Sequence, residues 1–234
     1  SIDTPLHGLL PFKHIDHLHP DALIAVAAAE NNEAITKAIW GDEMGWVPWQ
    51  RPGFDLGLQL EKCLADNPKI RGIVLGSHGL FTWGDTSLEC YINSLEVIEK
   101  ASNYIEEKIS QNKVVFAGQK VKPLSDNQRQ QKASELMPVL RGLCSSENQM
   151  VGHFTDDDKV LSFINSYDLD RLAPMGTSCP DHFLRTKIQP LIIPLEPDTD
   201  ATNVDLLKKE LSTSFENYRR IYKEYYEACT HPNS

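Results

Sequence analysis

Apolar residues recur along this chain at two periods, and those periods place its elements. From Ser87 to Ile109, Leu88, Tyr91, Ile92, Leu95, Ile98, Ala101 and Ile105 return at threes and fours, the spacing of one helix face, with Asp85 or Thr86 placed to cap the start. That stripe predicts burial against a core. A second long helix is predicted over 204–228, with Leu207, Leu211, Phe215, Tyr218, Ile221, Tyr222 and Tyr225 on one side. Near the start, Lys13 to His19 reads as an extended segment stopped by Pro20. Helices follow over 21–29, whose first turn carries Asp21, and over 33–40. Gly41 to Gly57, with Pro48, Pro52 and four glycines, predicts a structured loop, and Trp46, Trp49 and Phe54 are placed in the core, with the wall of a pocket as the alternative. A helix is predicted over 58–65 and a buried strand over 70–75, a partly β-branched run between Pro68 and Gly76.

The pattern changes after Val115. Residues 118–132 are polar and read as a connection, followed by a helix near 130–143, a strand over 160–164, a loop over 176–187 and an apolar run, Leu191 to Ile193, between Pro190 and Pro194. These shifts divide the chain into a core over 1–116, an extension over 117–202 and the long helix over 203–234. No internal repeat is present.

Composition removes several function classes. The chain has 234 residues, 41% of them hydrophobic, enough for one large core or two small ones. Its longest apolar stretch, Leu23 to Ala29, runs straight into Glu30 and falls far short of the roughly 18 to 20 residues a spanning helix needs, so no membrane role is expected. Twenty-three basic against 33 acidic residues leave a net charge of −10, which repels phosphate backbones and makes nucleic acid an unexpected partner. Five cysteines, odd in number and without a Cys-x-x-Cys pair, argue for a reducing, cytoplasmic setting over a disulfide framework. The chain opens on Ser1 and runs at once into motif-like sequence, which predicts a fragment.

The histidines carry the chemistry. His7, His14, His17 and His19 crowd the first 19 residues. In a strand, alternate side chains leave the same face, so His17 and His19 converge, while His14, at an odd spacing, faces away. His78 lies just past another strand, in Gly76-Ser77-His78-Gly79. Three imidazoles with no fourth protein ligand make an open site, the arrangement of a catalytic zinc that polarises a carbonyl; the plainer reading is a set of surface or hydrogen-bonded histidines. Asp3 precedes the pair, on a strand expected to lie beside the metal strand, where a carboxylate can shuttle a proton. His182, Arg185 and Lys187, after Cys179-Pro180, can hold a phosphate or a carboxylate; the alternative is a solvated loop with Asp181 as a cap.

Ser1-Ile2-Asp3-Thr4-Pro5-Leu6-His7, His17-Leu18-His19-Pro20 and Ser77-His78-Gly79-Leu80-Phe81-Thr82-Trp83-Gly84 together resemble the class II aldolase/adducin family pattern of Ser-x-Glu, His-x-His and Asn/Ser-His-Gly. More narrowly, Arg51 to Leu56 and Pro180 to Lys187 resemble the aldolase part of bifunctional rhamnulose-1-phosphate aldolase/short-chain dehydrogenase proteins. The resemblance implies an α/β fold, a three-layer α/β/α domain around a largely antiparallel sheet. It implies His17, His19 and His78 as ligands of Zn2+ or another first-row divalent ion, Asp3 as acid/base and Ser1 as part of a phosphate loop. Asp3 departs from the usual Glu by one methylene, and the segments that precede this point in the family are not in the sequence. The implied reaction is retro-aldol cleavage of a phosphorylated ketose, such as rhamnulose 1-phosphate, to dihydroxyacetone phosphate and lactaldehyde, by a homo-oligomer. Two rivals share the pattern: a sugar-phosphate epimerase or dehydratase on the same scaffold, and an adducin-like interaction module without catalysis.

Overall fold

The computed structural model describes residues 3–112, 114–195 and 203–229. In chain order the elements are α1 (Thr4–Gly8), β1 (His14–Leu18), α2 (Asp21–Ala27), α3 (Asn32–Trp40), β2 (Gly45–Val47), α4 (Phe54–Asp66), β3 (Gly72–Leu75), β4 (Gly79–Gly84) and α5 (Ser87–Gln111). They continue with α6 (Asp126–Cys144), α7 (Asp158–Ile164), α8 (Leu169–Leu172), a 3-10 turn (Ala173–Met175), α9 (Pro180–Arg185) and α10 (Val204–Cys229). Two compact units divide them: residues 1–113 with 177–188, and residues 114–176 with 189–234.

The first unit is built on a four-stranded sheet in the order β1-β4-β3-β2. β1 with β4 and β3 with β4 are antiparallel, as expected, whereas β2 lies parallel to β3, joined through α4. Strand alternation sorts the side chains into two cores. Phe81, Ile73 and Leu75 pack on one face with Leu6 of α1 and Leu56 and Leu60 of α4. Val74 and Leu80 pack on the other with Leu23 of α2, Trp40 of α3 and Val97 of α5. The result is the expected three-layer α/β/α arrangement.

Several sequence expectations change in detail. Thr86, not Asp85, caps α5: its hydroxyl accepts the Glu89 N–H at 3.2 Å, and the Glu89 carboxylate accepts the Thr86 N–H at 2.9 Å. The face of α5 that meets the sheet is Cys90, Ser94, Val97 and Ala101, small residues that let the helix lie close, while Leu88, Tyr91, Ile92 and Leu95 are exposed. Gly41 to Gly57 contains β2 and the start of α4, and Trp49 and Phe54 lie at the surface rather than in the core; Trp46 is half-buried against the α5-side core.

In the second unit the strand expected over 160–164 is helix α7. Asp157 caps it by accepting the Val160 N–H at 2.9 Å, and that bond outweighs the β-branched bias of the short run. α6 begins at Asp126, inside the stretch read as connection, and packs on α10, where Leu207 and Leu211 are buried. Leu136, Met137, Leu140, Phe154, Ile193 and Leu211 border an apolar cavity of about 390 Å3. In the first unit, within the loop expected over 176–187, Pro180 at the first turn starts α9.

Candidate metal centre

β1 presents His17 on the face that packs with α1 and α4, opposite Phe81 of β4. His19 follows one residue past the strand, and Leu18, between them, pairs with Leu80 on the opposite face. His78 comes from the β3–β4 turn. That turn is held on three sides: Gly76 N–H donates to the Val47 carbonyl (2.9 Å), Ser77 N–H to the Ala27 carbonyl at the end of α2 (2.7 Å), and His78 N–H to the Leu75 carbonyl (3.1 Å). Ser77 takes a left-handed conformation with φ of 53°, a local strain that the three bonds sustain.

The three rings meet. Ring centroids lie 4.8 Å apart for His17 and His19, 5.0 Å for His17 and His78, and 5.1 Å for His19 and His78. One nitrogen from each lies within 4.8 Å of the others. His17 is fixed most firmly: its ring stacks on Phe81 at 4.2 Å, and its Nδ1 lies 3.1 Å from the Leu80 carbonyl. A carbonyl only accepts, so Nδ1 carries the proton and Nε2 keeps its lone pair for a ligand. Gly79 provides the room, because a Cβ there would come within 2.6 Å of the Leu18 carbonyl and strike the His19 ring.

Burial keeps two of the donors, His17 and His78, neutral. Burial pushes His17 down to about 4, helped by the neighbouring His19 and opposed by the Leu80 hydrogen bond and the charge of Asp3. His78, buried, is lowered to about 4 by the same desolvation, with His17 and His19 adding to it. Unprotonated nitrogens facing one point are the donor set a divalent first-row cation requires, with bonds of about 2.0–2.1 Å to imidazole. The residues fit such an ion.

Asp3 sits at the start of α1, not on a strand, because Pro5 in the first turn commits the segment to a helix. Its charge nevertheless acts on His17. Ser1 lies outside the described residues. His182 and Arg185, on α9, and Lys187 just beyond it are exposed, and His182 is not among the converging imidazoles. The sequence reading missed the partners that orient the site. Phe81 and the Leu80 carbonyl follow from the register of β4, a strand not predicted there. His7, one turn after Asp3 on α1, packs its ring 5.6 Å from Phe81 and also acts electrostatically on His17.

The model of the class II aldolase and adducin N-terminal domain matches residues 1–105, and that of the second domain of class II aldolases matches residues 131–234. The chain belongs to the class II aldolase family. Class II aldolases typically depend on a divalent metal, and the imidazole trio of this family member offers a matching donor set. An uncharacterized oxidoreductase of Bacillus subtilis (strain 168), YuxG, is 39% identical over 224 residues, which cover 95% of this chain and 32% of that protein; the chain thus spans about a third of the length of this curated relative. Among solved structures, the N-terminal class II aldolase domain of a conserved Thermoplasma acidophilum protein is 34% identical, covering 45% of this chain and 48% of its own, with a TM-score of 0.42. An aldolase II superfamily protein from Pseudomonas syringae is 21% identical over 47% of each chain, with a TM-score of 0.37. Among the described residues of this aldolase-family chain, no helix is long and apolar enough to cross a membrane.

Proposed function

We propose that this chain is the aldolase part of a zinc-dependent lyase that cleaves a 1-phosphorylated ketose, rhamnulose 1-phosphate, to dihydroxyacetone phosphate and lactaldehyde. The observation that carries the reading is the convergence of His17, His19 and His78 within 4.8 Å. These three nitrogens would hold the zinc ion, which would supply Lewis-acid polarisation of a ketone oxygen. The chain's own residues do the rest. His17 and His78, neutral at pH 7, offer lone pairs, and the Leu80 carbonyl fixes which nitrogen of His17 faces the site. Asp3 takes the proton of the substrate hydroxyl whose loss lets the carbon–carbon bond break, then returns a proton to the products. Ser1, His182, Arg185 and Lys187 bind the phosphate.

The name of the Bacillus relative, an oxidoreductase about three times as long as the matched stretch, supports a protein that joins this aldolase part to an oxidoreductase part; the proposal takes that part as a short-chain dehydrogenase and the setting as rhamnose metabolism. The same proposal places the protein in the cytoplasm as a homo-oligomer. The five cysteines, all free thiols, fit a reducing compartment.

The test is product analysis on the full-length protein. Incubation with rhamnulose 1-phosphate should release dihydroxyacetone phosphate and lactaldehyde in equal amounts. A chelator should abolish release, Zn2+ should restore it, and His78→Ala should stay inactive after zinc is added. Cleavage that survives thorough chelation overturns the metal reading. Conversion to an epimer without dihydroxyacetone phosphate assigns the scaffold to epimerisation instead.

A further inference from the structure

The imidazole trio depends on the register of an edge strand. Among the described residues β1 pairs with β4 alone, and a backbone ladder makes similar hydrogen bonds after a slip of two residues. Such a slip would keep every side chain on its face while shifting His17 and His19 by about 7 Å along the strand relative to His78. Something other than the ladder has to oppose it. The α5-facing side of β1 and β4 holds a polar pair where apolar residues would pack more simply. Asp16 stands directly across from Thr82, which is fully buried. From α5 above them, the buried Ser94 hydroxyl donates to the Asp16 carboxylate at 2.8 Å and lies 2.7 Å from the Thr82 hydroxyl. The Cys90 carbonyl, 3.0 Å from the same hydroxyl, completes the cluster. The Cys90 thiol beside it is pushed up to about 11 by burial and by the charge of Asp16, so it stays protonated.

A half-buried carboxylate that loses its hydroxyl donor costs far more than the bond contributes when made. The bond from Ser94 to Asp16 forms in one register only, because a two-residue slip puts His14 or Leu18 opposite Thr82, carries the Asp16 carboxylate away from its donor and leaves the Ser94 hydroxyl with only the Cys90 carbonyl and the Thr82 hydroxyl. We propose that Asp16 is a positioning residue for the imidazole trio: through Ser94 and Thr82 it fixes the register of β1 on β4 and so holds His17 and His19 against His78. The proposal rests on reading the trio as a metal centre. It adds that the residue beside the first ligand, pointing into the opposite layer, sets the geometry of that centre.

Cobalt(II) binding to the full-length protein tests it, because both affinity and visible absorption report the ligand geometry without any turnover. Asp16→Ala and Ser94→Ala should weaken Co2+ binding about 10-fold or more and change the absorption bands, while Asp16→Asn, whose amide oxygen still accepts the Ser94 hydroxyl, should stay within about threefold of the parent. Val97→Ala, a truncation in the same layer, should lower thermal stability and leave Co2+ affinity and spectrum unchanged. Parent-like affinity in folded Asp16→Ala overturns the proposal, as does parent-like affinity in Ser94→Ala should the first variant not fold. An equal loss in Val97→Ala overturns it too, by showing that any softening of the layer suffices. Absence of Co2+ binding in the parent sinks the metal reading itself, a different result from binding that ignores Asp16.

Discussion

His17 and His78 differ from solvent histidines in the direction of their proton affinity, and the sign of that difference sets how the protein responds to acid. Both lie near 4 when folded against an ordinary 6.5. Between those values the unfolded chain binds more protons than the folded one, so stability falls as pH drops from 6.5 to about 4, with no further loss from these groups below that. Urea unfolding of the chelated protein should show its midpoint declining across that window, and His17→Gln should flatten the decline. Asp3→Asn should lower kcat about 100- to 10,000-fold while Zn2+ affinity, measured by competition with a chromophoric chelator, holds. At this scale the sequence was highly legible. Alternation puts His17 and His19 on one face whatever surrounds them, and glycine beside His78 marks a turn. The setting of Asp3 was misread as a strand, although Pro5 pointed to a helix start. Asp16 and Ser94 gave no signal, because 78 residues separate them in the chain and only the folded layers join them.

Elements position the site through close approaches that leave no room for error. A methyl group added at Gly79 would meet the Leu18 carbonyl at 2.6 Å, so Gly79→Ala should displace the His19 ring and weaken zinc binding, read by the same chelator competition. Removing the cap of α5 should act differently. Thr86→Ala loses the bond to the Glu89 N–H, which costs about 1 kcal/mol of stability and should leave zinc affinity alone, since the cap lies at the far end of β4 from the His78 turn. Elements with long periodic patterns or clear caps were readable from sequence, as α5 and α10 show. Short ones were not. Residues 160–164 carry Val and Ile, yet one carboxylate at Asp157 decides for helix. The α5 stripe held in its C-terminal half, where Ile98, Ala101 and Ile105 pack on the core, and missed in its first turns, where packing chose Cys90 and Ser94 over the bulkier Leu88, Tyr91, Ile92 and Leu95.

For the whole molecule, an ion that binds only the folded form raises stability by mass action. Zinc at about 100 times its dissociation constant should add about 2.7 kcal/mol to unfolding, seen as a higher urea midpoint than in the chelated protein, with amide exchange slowed in β1, β4 and the turn between them. An unchanged midpoint would mean that the ion has no preference for the fold. The three-layer order was readable from the family pattern, but the parallel edge was not, since β2 is three residues long and hidden among tryptophans and prolines. The strand at the other edge has a different consequence. Leu18 faces one layer while His17 beside it faces the other, so this strand is constrained in length as well as in spelling. Inserting one residue just ahead of His17, with the pairing of Ile15 and Asp16 kept, would send the imidazole into the α5-side layer and Leu18 onto the face it left.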